Sequence, residues 1–129
     1  MTYAFVCINK YLMKTQIQTK SESCLNELVN NFDYKFFKTM GEPVRLEILR
    51  FLMLHGRSEI GVIAEHMPQD RSVISRHLNM MKEAGILNSL KETRYVYYEI
   101  NGKAFIDKLE AIAKQIHTCM QVCCPDCCK

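Results

Sequence analysis

Five of the seven cysteines in this 129-residue chain lie in its last eleven residues, as Cys119, Cys123, Cys124, Cys127 and Cys128. Thiolates are soft donors that favour ions such as Zn²⁺, Cd²⁺ and Cu⁺, and three of them in a pyramid suit trivalent arsenic or antimony. On a helix, Cys119 and Cys123 stand four residues apart and share one face. The spacing therefore predicts a soft-metal or metalloid site formed by Cys119, Cys123 and Cys124, to which Cys127 or Cys128 can add.

Two other interpretations of these cysteines stay open. Cys124 and Cys127 form a Cys-x-x-Cys pair, whose thiols can close a disulfide or polysulfide in response to a peroxide or reactive sulfur. Alternatively, the tail is disordered and its cysteines only scavenge metal. Cys24, far upstream, can approach the tail of a second protomer, or it is a small buried residue.

A second set of chemical groups lies between Asp70 and Met81. Ile74, Leu78 and Met81 follow the i, i+4, i+7 spacing of one helical face, which predicts that they pack inward. Asp70 precedes them as an N-cap whose carboxylate can accept amide hydrogens of the first turn. Six of the other positions carry side chains that can hydrogen-bond to DNA. These positions are Arg71, Ser72, Ser75, Arg76, His77 and Asn79.

The segment before this helix predicts how the helix is held. Ser58 to His66 has the apolar spacing of another short helix, and Met67-Pro68-Gln69 makes a tight break after it. Two short helices joined by such a turn form either a helix-turn-helix or an ordinary helical hairpin. The segment that follows favours the first interpretation.

After Gly85 the pattern changes to that of β-strands. Residues 86–90 and 95–100 are rich in β-branched and aromatic side chains, and a polar tip separates them, which predicts a β-hairpin. The tip carries Lys91 and Arg94. A cationic hairpin directly after a recognition helix is typical of a wing that contacts DNA phosphates.

Three segments of the chain stand in a recognisable order: the stretch from Phe37 to Leu49, then Ser75-Arg76-His77-Leu78, then Tyr97-Tyr98. Together they resemble the ArsR/SmtB family of winged-helix repressors. The resemblance extends from about Leu25 to Met120. It implies a homodimer that binds double-stranded operator DNA and releases it when a metal ion, metalloid or oxidant reaches a sensor site. The Cys-x-Cys pair of many members is replaced here by Glu59 and Gly61, so that sensor site is absent.

Taken together, these segments predict a mainly α fold with a small β-hairpin wing, which is a winged helix-turn-helix. We expect it to dimerise through its terminal helices. We expect an N-terminal extension over residues 1–22, one DNA-binding and dimerisation domain over residues 23–122, and a cysteine-rich tail over residues 123–129. Scaffold helices are predicted from Ser23 to Met40 and from Pro43 to His55. A last helix, capped by Asn101, carries the apolar stripe that would cover a partner.

Composition supports a small DNA-binding domain and excludes several other classes. The net charge is only +3, but Arg71, Arg76, Lys82, Lys91 and Arg94 fall on the predicted recognition surface. No P-loop, dinucleotide fingerprint, zinc-protease motif or nucleophile elbow is present, so an enzyme is not expected. No apolar run is long enough to cross a bilayer, so we expect a cytoplasmic protein with no membrane partner.

Overall fold

The computed structural model describes residues 2–124 and 126, and gives only the backbone for residues 2–12, 14, 15 and 17. The elements, in chain order, are α1 (Thr2–Asn31), α2 (Tyr34–Met40), α3 (Pro43–His55), β1 (Ser58–Glu59), α4 (Ile60–Glu65), α5 (Arg71–Glu83), β2 (Leu87–Glu92), β3 (Tyr95–Ile100) and α6 (Gly102–Cys123). The chain divides into two compact units. We call Asp33–Lys108 the central unit, and we call the chain up to Phe32 together with the chain from Leu109 onward the terminal unit.

The central unit has a hydrophobic core of its own. Ile74, Leu78 and Met81 are completely buried, which confirms the inward face predicted for α5. Ile48 from α3 and Ile63 from α4 are equally buried in the same core. Because these apolar side chains lock the inner face of α5, its outer face is held in a fixed orientation.

A three-stranded antiparallel sheet with strand order β1-β3-β2 completes the central unit. The predicted hairpin is confirmed: Leu87 pairs with Ile100 and Glu92 pairs with Tyr95. Its first strand covers Leu87–Glu92 instead of the expected 86–90, so the prediction of Lys91 at the tip is wrong. The prediction of a helix beginning at Ser58 is wrong at its start, because Ser58 and Glu59 form β1 and α4 begins at Ile60. These two residues pair with the edge of β3 that β2 leaves open.

The prediction of one helix from Ser23 to Met40 is also wrong, because Phe32 and Asp33 are not helical and separate α1 from α2. The Asp33 carboxylate accepts a hydrogen bond from the Phe36 amide at 2.9 Å and so caps α2. Lys108 donates a second hydrogen bond to the same carboxylate. The bond from Lys108 and then that from the Phe36 amide hold the pKa of Asp33 below its ordinary value.

The terminal unit contains α1 and the part of α6 that begins at Leu109. A disulfide joins Cys24 to Cys119 in this unit, with their Cα atoms 5.7 Å apart. Residues 2–22 of the predicted extension belong to the helix α1, which continues to Asn31. As expected, Asn101 caps the start of α6: its side-chain oxygen lies 3.4 Å from the Ala104 amide nitrogen. None of the helices in the described residues has the length and apolarity needed to cross a membrane.

Candidate nucleic-acid interface and thiol site

The helix α5, which the sequence predicts to be the recognition helix, begins at Arg71 as expected, but its cap differs from the prediction. The Asp70 side chain makes no capping hydrogen bond. Instead, the Asp70 carbonyl oxygen accepts hydrogen bonds from the amides of Val73 and Ile74, both at 3.0 Å. The prediction of a carboxylate cap is therefore wrong, and the Asp70 side chain, which is exposed, leaves the first turn of α5 uncovered.

The outer face of α5 is polar and accessible. Arg71, Ser72 and Arg76 are exposed, and Ser75 is half-buried between them. Arg71 is held by an ion pair at 3.5 Å with Glu59, and the Arg71 side chain stays 67% exposed. This face can therefore present guanidinium and hydroxyl donors to the edges of base pairs without rearrangement of the core.

His77 and Asn79, also predicted for DNA contact, take part in contacts inside the central unit. Arg45 on α3 donates from Nε to Nδ1 of His77 at 3.2 Å, and from Nη1 to the Thr39 carbonyl oxygen at 2.9 Å. Partial burial, and then the charge of Arg45, lower the pKa of His77. Asn79 accepts a hydrogen bond from the Tyr98 hydroxyl at 3.3 Å. Arg45 and Tyr98, to which the sequence pattern gave no individual role, thus position α5 against α3 and β3.

The two cations predicted for the wing lie at different places on the hairpin. Lys91 is exposed on β2, whereas Arg94 lies at the tip. The guanidinium of Arg94 lies 5.0 Å from the centre of the Tyr95 ring and donates to the Tyr95 hydroxyl at 2.8 Å. These contacts fix the Arg94 side chain along the hairpin, and its charge remains exposed to solvent.

A further ion pair, missed from the sequence, supports the base of the wing. Arg57 pairs with Glu92 on β2 and lies 4.7 Å over the Tyr97 ring on β3. One side chain thus contacts both strands of the hairpin. Arg57 and Glu92 are 35 residues apart in the sequence, so no local pattern could have identified this support of the wing.

The predicted metal ligands are in different bonding states in this structure. Cys119 is bonded to Cys24 and is only 3% exposed, whereas Cys123 is an exposed free thiol one helical turn later. Cys124 is disulfide-bonded. Cys127 and Cys128 lie outside the described residues. Within the part of the chain that is described, no three His, Cys, Asp or Glu side chains gather into a metal-binding group.

The central unit matches a known family of regulators. Residues 42–89 match the family model described as "Bacterial regulatory protein, arsR family". An uncharacterized HTH-type transcriptional regulator of Methanocaldococcus jannaschii is 36% identical over 66 residues, 51% of this chain and 74% of that protein. The transcriptional repressor SdpR of Bacillus subtilis is 33% identical over 73 residues, 57% of this chain and 80% of that protein.

A solved structure agrees with the sequence matches. The crystal structure of a possible transcriptional regulator for arsenical resistance superimposes with a TM-score of 0.56 at 28% identity, over 64% of this chain and 83% of that one. These similar proteins are transcriptional regulators, which are not enzymes, and this confirms the expectation of a non-enzymatic chain. The fold, with a helix-turn-helix followed by a hairpin wing, is the predicted one.

Proposed function

This chain belongs to the ArsR family of bacterial regulatory proteins, and from that premise we propose that it is a repressor whose operator binding is controlled by the thiols of Cys24 and Cys119. The observation that carries the proposal is the disulfide between these residues, which joins α1 to α6 within one chain. In the proposed mechanism, the reduced protein holds the operator and the disulfide form releases it.

The DNA contact is assigned to α5 and the wing. The exposed and half-buried donors of α5 read base edges in the major groove, and the cations of the wing bind phosphates. Base contacts are assigned to Arg71, Ser72, Ser75 and Arg76, phosphate contacts to Lys91 and Arg94, and a positioning role to His77 and Asn79.

The terminal unit is the proposed dimer contact. Large apolar side chains on both of its helices are exposed, and a second copy of the chain would cover them. These side chains are Leu25 and Val29 on α1, and Leu109, Ile116 and Met120 on α6. In a homodimer, two copies of α5 would enter successive major grooves about 34 Å apart.

The switch follows from thiol chemistry. A DNA-binding regulator works in the cytoplasm, where disulfides are transient and serve catalysis or sensing. When a peroxide accepts two electrons and two protons from the two thiols, its O–O bond breaks and the S–S bond forms. Hydrogen peroxide is then reduced to two molecules of water, and an organic hydroperoxide to an alcohol and one water. The bond links α1 to α6 beside the proposed dimer contact. A coupling of about 1–3 kcal/mol would lower operator affinity about 5- to 150-fold.

A soft metal or metalloid is the second candidate inducer, and the same geometry favours it. Reduced Cys24 and Cys119 would lie close enough to bind one ion, with Cys123 one turn along α6. Three thiolates suit arsenite or antimonite, and also accept Cd²⁺ or Zn²⁺. The similarity to a possible regulator of arsenical resistance supports this candidate. Cys124, Cys127 and Cys128 stay predicted as further ligands.

Fluorescence anisotropy with DNA that the protein selects from a random pool tests both candidates at one fixed salt concentration. The reduced protein is titrated separately with hydrogen peroxide, a polysulfide, arsenite and Cd²⁺. We expect peroxide or polysulfide to release wild type and Cys123→Ser, but not Cys24→Ser.

The pattern of release separates the candidates. Release by arsenite or Cd²⁺ alone, lost in Cys123→Ser, would replace the redox mechanism with the metal mechanism. If none of the four reagents changes the affinity of wild type, both candidates fail and only the repressor assignment stands.

A further inference from the structure

Two histidines of the central unit line the same cavity, and in the sequence they are distant from the cysteines. His55 is the last residue of α3, and His66 directly follows α4. Both line a cavity of about 270 Å³, which the Glu47 carboxylate also borders. Their ring centroids are 6.0 Å apart. Two imidazoles that share one metal ion have centroids roughly 5–6 Å apart, since each metal–nitrogen bond is about 2.1 Å.

The two rings are oriented by a shared contact with Phe51. The centroid of the Phe51 ring lies 4.5 Å from that of His55 and 4.9 Å from that of His66. Both histidines remain exposed on the other side. The phenyl ring therefore limits the rotation of both imidazoles and leaves their open edges accessible to an ion.

His66 also has a defined tautomer. Its Nδ1 lies 2.8 Å from the Val62 carbonyl oxygen, which can only accept, so Nδ1 carries the proton and donates it. The lone pair is then on Nε2. A histidine whose second nitrogen donates to a backbone carbonyl has the arrangement that metal-binding histidines show in proteins.

We propose that His55 and His66 bind one divalent ion of the imidazole-preferring group, Ni²⁺, Cu²⁺ or Zn²⁺, with water in the remaining positions. Glu47 and Arg50, which both border the cavity, pair with each other at 3.4 Å and together add no net charge there. Two imidazoles and water make an open site that exchanges its ion more readily than a closed site of four protein ligands. This site is separate from the proposed thiol sensor and does not depend on its redox state.

The position of His66 gives the ion a structural effect. His66 begins the turn that leads to the first residue of α5, Arg71. An ion bound to both histidines joins this turn to the end of α3. Because the ion binds only the folded arrangement, it is expected to raise the melting temperature as its concentration increases.

Calorimetric titration of the full chain with Ni²⁺ tests the proposal, after reduction and blocking of the thiols with N-ethylmaleimide so that sulfur does not compete. We expect one ion per chain. His55→Gln and His66→Gln should each weaken binding by at least the roughly 10- to 100-fold that loss of an outer-shell partner costs. His117→Gln, which removes an exposed histidine on α6, is the matched control and should bind as wild type does.

If His55→Gln and His66→Gln both bind Ni²⁺ within twofold of wild type, the proposal is overturned. A second measurement uses the unsubstituted, thiol-blocked chain and does not depend on how the variants fold. The paramagnetic resonance spectrum of bound Cu²⁺ should show coupling to two imidazole nitrogens, and coupling to one or none contradicts the site.

Discussion

The central unit encloses thirteen buried apolar side chains in one cluster. Among the residues of the terminal unit whose exposure is described, only Cys119 is buried. In the terminal unit, Leu25, Val29 and Ile116 are instead exposed to solvent. A unit without a core of its own needs a cross-link or a partner. If the proposed function holds, DNA reading lies on the unit that has its own core, and sensing lies on the unit that relies on the Cys24–Cys119 bond and on a second copy of the chain.

The largest expected effect comes from the core of the central unit. Ile74→Ala should lower the free energy of unfolding by about 2–5 kcal/mol, because it leaves a cavity beneath α5. The same truncation at Ile116, which is 39% exposed on α6, should cost about 0.5 kcal/mol. Urea denaturation of the reduced proteins measures both. Equal losses would erase the distinction between the two units.

Loss of the disulfide should affect the other unit. Under oxidising conditions, Cys24→Ser should lower the unfolding free energy by about 2–4 kcal/mol, since the bond closes a loop between residues 95 positions apart. Amide hydrogen exchange should become faster in α1 and the second half of α6, and stay unchanged in α3 and α5. Cys123→Ser, which removes a free thiol at the end of α6, is the control. Faster exchange across the central unit would contradict the account.

DNA affinity should depend on the outer face of α5. Arg76→Ala is expected to weaken operator binding by about 1–3 kcal/mol if the guanidinium contacts a base, with no change in the unfolding free energy. Arg50→Ala on α3 removes an exposed arginine that pairs with Glu47 instead. It should change binding little. Anisotropy at one salt concentration measures both variants, and unchanged affinity in Arg76→Ala would remove this residue from the interface.

The smallest effect is at the start of the central unit. Asp33→Ala should cost about 0.5–2 kcal/mol at pH 7, because it removes the cap of α2 and the partner of Lys108. The pKa of Asp33 is lowered by folding, so its contribution is present above the unfolded value of about 3.9 and is lost as the pH falls through the folded value.

Denaturation at pH 7 and at pH 3 checks the pH dependence at this position. Asp33→Asn keeps a side-chain oxygen for the Phe36 amide and should lose less stability at pH 7 than Asp33→Ala. A loss in Asp33→Ala that is as large at pH 3 as at pH 7 would show that the charge of Asp33 contributes nothing.

Local patterns predicted most of the central unit. The burial of Ile74 and Leu78, the hairpin and the Asn101 cap all follow from spacing within a few residues. Patterns of this kind cannot reveal pairings between distant residues. Strand β1 has two residues, too few for an alternating pattern, and it is defined only by its bonds to Tyr97 and Tyr98.

The same limit applies to the candidate sites. The sequence predicted Cys119 as a metal ligand from its neighbours along α6, whereas the structure bonds it to Cys24, 95 residues away. His77 was placed with the DNA-reading residues by its position on α5, but its contact with Arg45 comes from α3. Side-chain type and helical phase identified which residues carry chemistry. Tertiary contacts decided which partners they meet.

Parallel measurement of disulfide content and DNA binding in one series of thiol–disulfide buffers tests the central claim most directly. At each buffer potential, mass spectrometry gives the fraction of chains with the Cys24–Cys119 bond, and anisotropy gives the fraction bound to operator. The account predicts that the loss of DNA binding follows the formation of the disulfide with the same midpoint. Full operator binding by chains in which the disulfide has formed would contradict it.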